Sequence, residues 1–143
     1  MFGGGLMEDP VRVFVDGASR GNPGPAGIGF VVVYGGKVLA KLGRYVGVAT
    51  NNQAEYMALI AALEACHELG ARRLEVFSDS ELLVKQLRGE YSVRSPRLKE
   101  LHEKAKRLEK LFESVAYTHV PRDSNADADA LANKAIDLKR DVE

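Results

Sequence analysis

The stretch VRVFVDGASRGNPGPAGIGFVVVY, residues 11–34, decides the reading of the whole chain. Val11 to Val15 is β-rich and partly alternating, which predicts a strand that ends at Asp16. Gly17 to Gly27 is dense in Gly, Asn, Ser and Pro and predicts a loop. Ile28 to Tyr34 predicts a second strand, Gly35-Gly36 a hairpin turn, and Lys37 to Val46 the returning strand. Three antiparallel strands therefore open the fold.

Beyond them the period changes. Thr50-Asn-Asn-Gln53 fits a capping box, with Thr50 as N-cap and Gln53 reaching back. The helix it starts runs to about Leu69, where Gly70 stops it. Arg73 to Phe77 predicts a short strand, and Ser80 caps a helix that ends near Gly89. Ser95-Pro96 opens another helix, with Leu98, Leu101, Ala105, Leu108 and Phe112 as its apolar stripe. Val115 to Val120 predicts a fifth strand. Ser124 or Asn125 caps a last helix, with Ala128, Leu131, Ala135 and Leu138 facing inward. The order β-β-β-α-β-α-α-β-α is an α/β fold with a five-stranded mixed sheet, three strands antiparallel and two parallel, flanked by helices.

Composition bounds the function. The chain has 143 residues, enough for one core, and 20 basic against 20 acidic side chains. Bulk charge does not steer it to a polyanion, so any such binding needs local basic patches. Residues 10–143 read as one domain and residues 1–9 as a disordered tail, with Met7 an alternative start. The opening MFGGGLMEDP lacks the basic and apolar regions of a secretory signal. No apolar run approaches the ~20 residues of a membrane span. A cytoplasmic location is expected by default. Cys66, the one cysteine, sits among apolar residues and reads as a small buried hydrophobe.

Four acids carry the chemistry. Asp16 and Asp79 follow strands expected to be parallel neighbours, and α/β sites form outside the carboxyl ends of strands. Glu55 and Asp129 lie in the first turns of helices that return from that end. Each has a simpler reading alone: Asp16 opens a turn, Glu55 and Asp129 complement helix dipoles, Asp79 joins a cap with Ser80. Gathered without a cation the four repel one another. An all-oxygen set calls for a hard cation, Mg²⁺ first and Mn²⁺ as substitute. Two such ions can clamp the attacking and leaving oxygens of a phosphodiester.

The segments DGASRGNPGPAG (16–27), TNNQAE (50–55), Ser78-Asp-Ser80 and Asn125-Ala-Asp-Ala-Asp129 together resemble ribonuclease H of type 1, in order and in spacing. The resemblance implies the ribonuclease H-like fold and cleavage of the RNA strand of RNA–DNA hybrids by a two-metal mechanism. It implies Asp16, Glu55, Asp79 and Asp129 as the carboxylates, Asp129 being chosen over Asp127 by its distance from Asn125. It places Gly17, Ser19 and Asn51 at the RNA strand, where the 2′-OH distinguishes RNA from DNA. Asn22 and Thr50 match positions near the DNA strand, and Glu81 stands where the family often has Gln.

Two departures stand out. The family's bacterial members usually carry a His shortly before the last Asp. Here His119 ends the fifth strand, and Arg122 is better spaced to reach the scissile phosphate. Arg122 would neutralise developing charge and could not shuttle protons; its alternative is a surface ion pair with Asp123 or Glu113. His119 reads rather as a packed or hydrogen-bonded strand-end residue. The family's inserted basic handle is reduced here to a short stretch in which Arg88, Arg94, Arg97 and Lys99 offer a smaller patch, so substrate binding is expected to be weaker. The implied partner is an RNA–DNA hybrid, with double-stranded RNA as the second duplex to test. Nothing demands more than a monomer.

Other classes fit less well. The glycines of the loop at residues 24–29 lack the strand-then-helix setting of a dinucleotide fingerprint. A Ser/His/Asp hydrolase lacks a nucleophile elbow. A weakly catalytic hybrid-binding domain, or a nuclease of the same fold acting on DNA junctions or as an integrase, are the remaining alternatives.

Overall fold

The computed structural model describes residues 8–143. Most of the expected tail therefore lies outside the described residues; Glu8 and Asp9 are exposed ahead of the first strand. The elements are β1 (Val11–Ser19), β2 (Gly24–Tyr34), β3 (Lys37–Ala49), α1 (Asn51–Glu68), β4 (Arg73–Ser78), α2 (Glu81–Leu87), α3 (Pro96–Glu109), β5 (Ser114–His119), a 3-10 turn (Arg122–Asn125) and α4 (Ala126–Leu138). The sheet order is β3-β2-β1-β4-β5. The first three strands are antiparallel, and β1, β4 and β5 run parallel, as the pattern predicts.

Local chemistry explains most boundaries. Gly35 and Gly36 both take positive φ, 58° and 77°, the primed turn that matches strand twist. The Thr50 hydroxyl accepts from Gln53 N at 3.1 Å, and Gln53 Oε1 accepts from Thr50 N at 2.9 Å, so the capping box is complete. Val11, Val13 and Val15 point to one face of β1 and are fully buried with Tyr56, Leu59 and Leu63 of α1 and Leu74 and Val76 of β4. Burying each such aliphatic side chain stabilises the fold by roughly 1.5–3 kcal/mol. α1 lies between the sheet and α3, which is why its apolar residues are not confined to one stripe. Cys66 is buried there, and burial pushes its thiol up to about 12.

Three expectations are corrected. First, β1 does not end at Asp16: it stays paired with β2 as far as Ser19↔Ala26, leaving only residues 20–23 as the loop. Gly17 and Gly27, within the stretch expected to be a loop, are instead strand positions where α1 and α4 press on the sheet, while Gly21 stays in the loop with φ 142°. Second, Asn125 does not cap α4 with its side chain; its Nδ2 donates across the molecule to the Val15 carbonyl at 2.8 Å. Third, Leu138 is 43 % exposed. Lys139 turns the chain left-handed (φ 52°), and Val142 folds back to pair with Gly43 through two 2.7 Å hydrogen bonds. Val142 then packs with Leu131 and Ala135, in the place expected for Leu138. Among the described residues no helix is long and apolar enough to cross a membrane.

Candidate active site and metal centre

The register of β1 against β4 pairs Phe14 with Phe77. Continued by two residues, it brings Asp16 level with Asp79. Asp16 is a side chain within β1, and Asp79 immediately follows β4. Glu55 reaches them from the second turn of α1. One oxygen of each of the three lies within 4.8 Å of the others. Asp129, from the first turn of α4, lines the same open cleft of about 280 Å³, together with Gly17, Ala18, Asn51, Ser80 and Arg122.

Two glycines set the approach of the helices that carry these acids. A Cβ on Gly17 would collide with the carbonyl of Ala54, so α1 can lie against β1 only because residue 17 has none. That contact lets Gly17 N donate to Glu55 Oε1 at 2.5 Å. On the other face a Cβ on Gly29 would strike the carbonyl of Ala128, the residue before Asp129.

Asp16 and Glu55 are each 4 % exposed. Burial above all, then Glu55, Asp129 and Asp79 around it, pushes the Asp16 carboxyl far above the ordinary carboxylate range. Burial also raises Glu55; the Gly17 N–H opposes this and the Asp79 charge adds to it. Buried anions without countercharge are costly. A divalent cation would relieve that cost, and the donor set, carboxylate oxygen without His or Cys, fits a hard ion such as Mg²⁺. Asp16, Glu55 and Asp79 are placed to hold it, with Asp129 beside Asp16.

The substrate residues expected from the sequence divide. Gly17 and Asn51 line the cleft; Ser19, Asn22 and Thr50 do not. The Gly17 N–H is committed to Glu55. The Ser19 hydroxyl is turned to backbone carbonyls, that of Gly21 in the loop and that of Ala49 at the end of β3, the latter at 2.7 Å. Asn22 Oδ1 accepts from Asn51 N at 3.2 Å and so fixes the first turn of α1. Thr50 Oγ1 accepts within the capping box but keeps its own proton to donate. Ser80 lines the cleft and bears on Glu55, a role hidden in the sequence by its other role, accepting from Leu83 N at 3.2 Å as the cap of α2.

A family model described as reverse transcriptase-like matches residues 14–135. Ribonuclease HI of Halobacterium salinarum is 50 % identical over 128 residues, 89 % of this chain and 64 % of that protein. The crystal structure of RNase H1 from the same archaeon superposes with a TM-score of 0.88 at 49 % identity, covering 91 % of this chain and 99 % of that one. The N-terminal RNase H domain of a Mycobacterium tuberculosis protein gives 0.87 at 45 % identity, covering 90 % and 99 %. LC11-RNase H1, isolated from compost and solved in complex with an RNA/DNA hybrid, gives 0.86 at 42 %, covering 90 % and 98 %. The chain belongs to the type 1 ribonuclease H family.

Within this family the chain has a short form of the segment between α2 and α3. Residues 88–95 join α2 to α3 directly, with no inserted handle. Arg88 is occupied, donating to the Tyr117 carbonyl at 2.6 and 3.0 Å, and Arg97 pairs with Glu100 at 3.6 Å. Arg94 and Lys99 are exposed and have no ion-pair partner among the described residues. The basic patch is thus smaller than the sequence alone suggests. Arg122 lies 3.9 Å from Asp129 Oδ1, while Glu113 pairs with Arg72 at 2.5 Å, so the ion pair expected as the alternative is not the one formed. His119 ends β5 but is exposed rather than packed, and it does not line the cleft.

Proposed function

We propose that the chain is an endoribonuclease that hydrolyses phosphodiester bonds of the RNA strand in RNA–DNA hybrids. In this reading Asp16, Glu55, Asp79 and Asp129 hold two divalent ions when substrate is bound, Mg²⁺ or in its place Mn²⁺. The chain spans 64 % of the length of the archaeal relative and about a third of the mycobacterial ones. The observation that carries the proposal is the meeting of three carboxylate oxygens within 4.8 Å in an open cleft that Asp129 also lines.

Bound divalent ions supply Lewis-acid charge at the scissile phosphate and lower the pKa of an attacking water. The protein's own groups do the rest. Gly17 N–H aims Glu55. Asn51, exposed at the cleft edge, has an amide free for a 2′-OH. The Thr50 hydroxyl has a proton to give a DNA phosphate. Arg122, 79 % exposed on its side chain, can swing to neutralise the phosphate as charge develops. We read the chain as a monomer with one domain over residues 10–143.

The test is cleavage of a hybrid labelled on either strand, with Mg²⁺ or Mn²⁺, beside a DNA duplex and double-stranded RNA. Scission confined to the RNA strand of the hybrid, or extending to double-stranded RNA, supports the proposal. No cleavage of the hybrid with either ion would overturn it.

A further inference from the structure

Asp129 is held from its own helix as well as from the cleft. Asn133, one turn further along α4, donates from Nδ2 to Asp129 Oδ1 at 3.2 Å and to the Asp129 carbonyl at 3.0 Å. An isolated amide could present either its oxygen or its nitrogen to a neighbour. Here Arg20, in the loop between β1 and β2, removes the choice. Arg20 Nη2 lies 3.4 Å from Asn133 Oδ1 and 3.3 Å from the Asn133 carbonyl, and Arg20 Nη1 is paired with Asp137. A guanidinium only donates, so the amide oxygen must face Arg20 and the amide nitrogen must face Asp129. Arg122 Nη2 approaches the same Asp129 oxygen, Oδ1, at 3.9 Å. Both outer partners therefore engage the same oxygen, Oδ1, while the Asp129 carboxyl also bears on Asp16 across the cleft.

We propose that Asn133 is a positioning residue for Asp129: its amide, oriented by Arg20, fixes which carboxylate oxygen Asp129 offers to a divalent ion. The inference rests on the metal site of the proposed function. The residue type suits the task. A Lys or Arg at 133 would place a competing cation beside the carboxylate, and an Asp would repel it. A neutral amide holds the oxygen by a hydrogen bond and leaves the charge available to the metal. Outer groups that orient metal ligands commonly change affinity or activity by about 10- to 100-fold when removed.

The experiment compares the unmodified chain with Asn133→Ala, Asn133→Asp and Arg20→Ala. Mn²⁺ binding is measured by calorimetry without nucleic acid, hybrid cleavage across a Mg²⁺ titration, and melting without metal. The expected result for Asn133→Ala is Mn²⁺ affinity about 10-fold weaker and a half-maximal Mg²⁺ concentration raised by a similar factor. The KM for hybrid at saturating Mg²⁺ should stay within about twofold. Asn133→Asp, equal in size but without the donor, should lose at least as much, and Arg20→Ala should shift metal affinity the same way by less. Asn133 lies on the outer part of α4 and is only half-buried, so metal-free melting should move little. If Asn133→Ala nonetheless melts early, the isosteric Asp variant and Arg20→Ala carry the test. Unchanged Mn²⁺ affinity in both Asn133 variants would overturn the inference, even with hybrid cleavage intact in the unmodified chain. A chain that binds Mn²⁺ but cuts no hybrid would sink the proposed function and leave the Asn133 comparison valid.

Discussion

Asn125 Nδ2 donates to the carbonyl of Val15 at 2.8 Å, tying the turn that starts α4 to β1 one residue before Asp16. Both groups are buried, Asn125 being 1 % exposed. The bond sets where Asp129 stands relative to Asp16. Asn125→Ala should therefore cost about 1–3 kcal/mol, because it strands a buried carbonyl. Turnover should fall by about 10-fold or more, because one carboxylate is displaced from the others. Thermal melting and single-turnover cleavage check the two parts separately. Wild-type turnover in a folded variant would show that this tether does not align the site.

Asp16→Asn should abolish cleavage and yet stabilise the metal-free protein. Burial and neighbouring acids raise the Asp16 pKa in the folded state. The folded chain then binds more protons than the unfolded one, so stability falls as pH rises above the ordinary Asp value near 4. Asn removes that penalty. The variant should melt about 5 °C or more higher near pH 7, with the gain shrinking to nothing as pH falls toward 4. A metal-free melting series across pH measures this, and a gain that grows toward acid would contradict it.

Gly17→Ala should disturb α1 where it lies against β1. The added methyl meets the Ala54 carbonyl, which is helix backbone and cannot swing aside. A loss of about 2–4 kcal/mol is expected from overpacking at this contact, read by denaturant midpoint at unchanged slope. Stability equal to the parent would mean that α1 has room to move.

Arg122→Ala should lower kcat by about 10-fold with little change in stability, since the side chain is exposed and its contact with Asp129 is long. Arg122→Lys should recover part of the rate, because it keeps the charge but not the planar fork. An unchanged kcat in the Ala variant would remove Arg122 from the reaction.

The fold was legible where the signals are local. Gly35-Gly36, the box from Thr50 to Gln53 and the Ser95-Pro96 start each depend on residues within one turn of each other, and each forms as expected. The four acids were legible as a group only through the sheet order and the family motifs. What stayed hidden is non-local. Asn125 finds Val15, and Arg20 finds Asn133, across more than 100 positions, and no spacing rule links them. Gly17 and Gly27 give a loop signal for the same reason: what requires them is the backbone of a helix elsewhere in the chain. The period of α4 points Leu138 inward, but Val142 returns from beyond the helix end and packs with Leu131 and Ala135 instead.

In the proposed function Asp16, Glu55, Asp79 and Asp129 act together as a metal site for hybrid hydrolysis. The decisive measurement of that joint action is RNA-strand cleavage by Asp79→Asn at saturating Mg²⁺, with hybrid binding measured in parallel. Asp79 is only partly buried, so the variant should fold. Cleavage should fall by about 1,000-fold or more, with hybrid binding within about threefold of the parent. Cleavage within about 10-fold of the parent would remove Asp79 from the metal site and sink the joint role of the four acids.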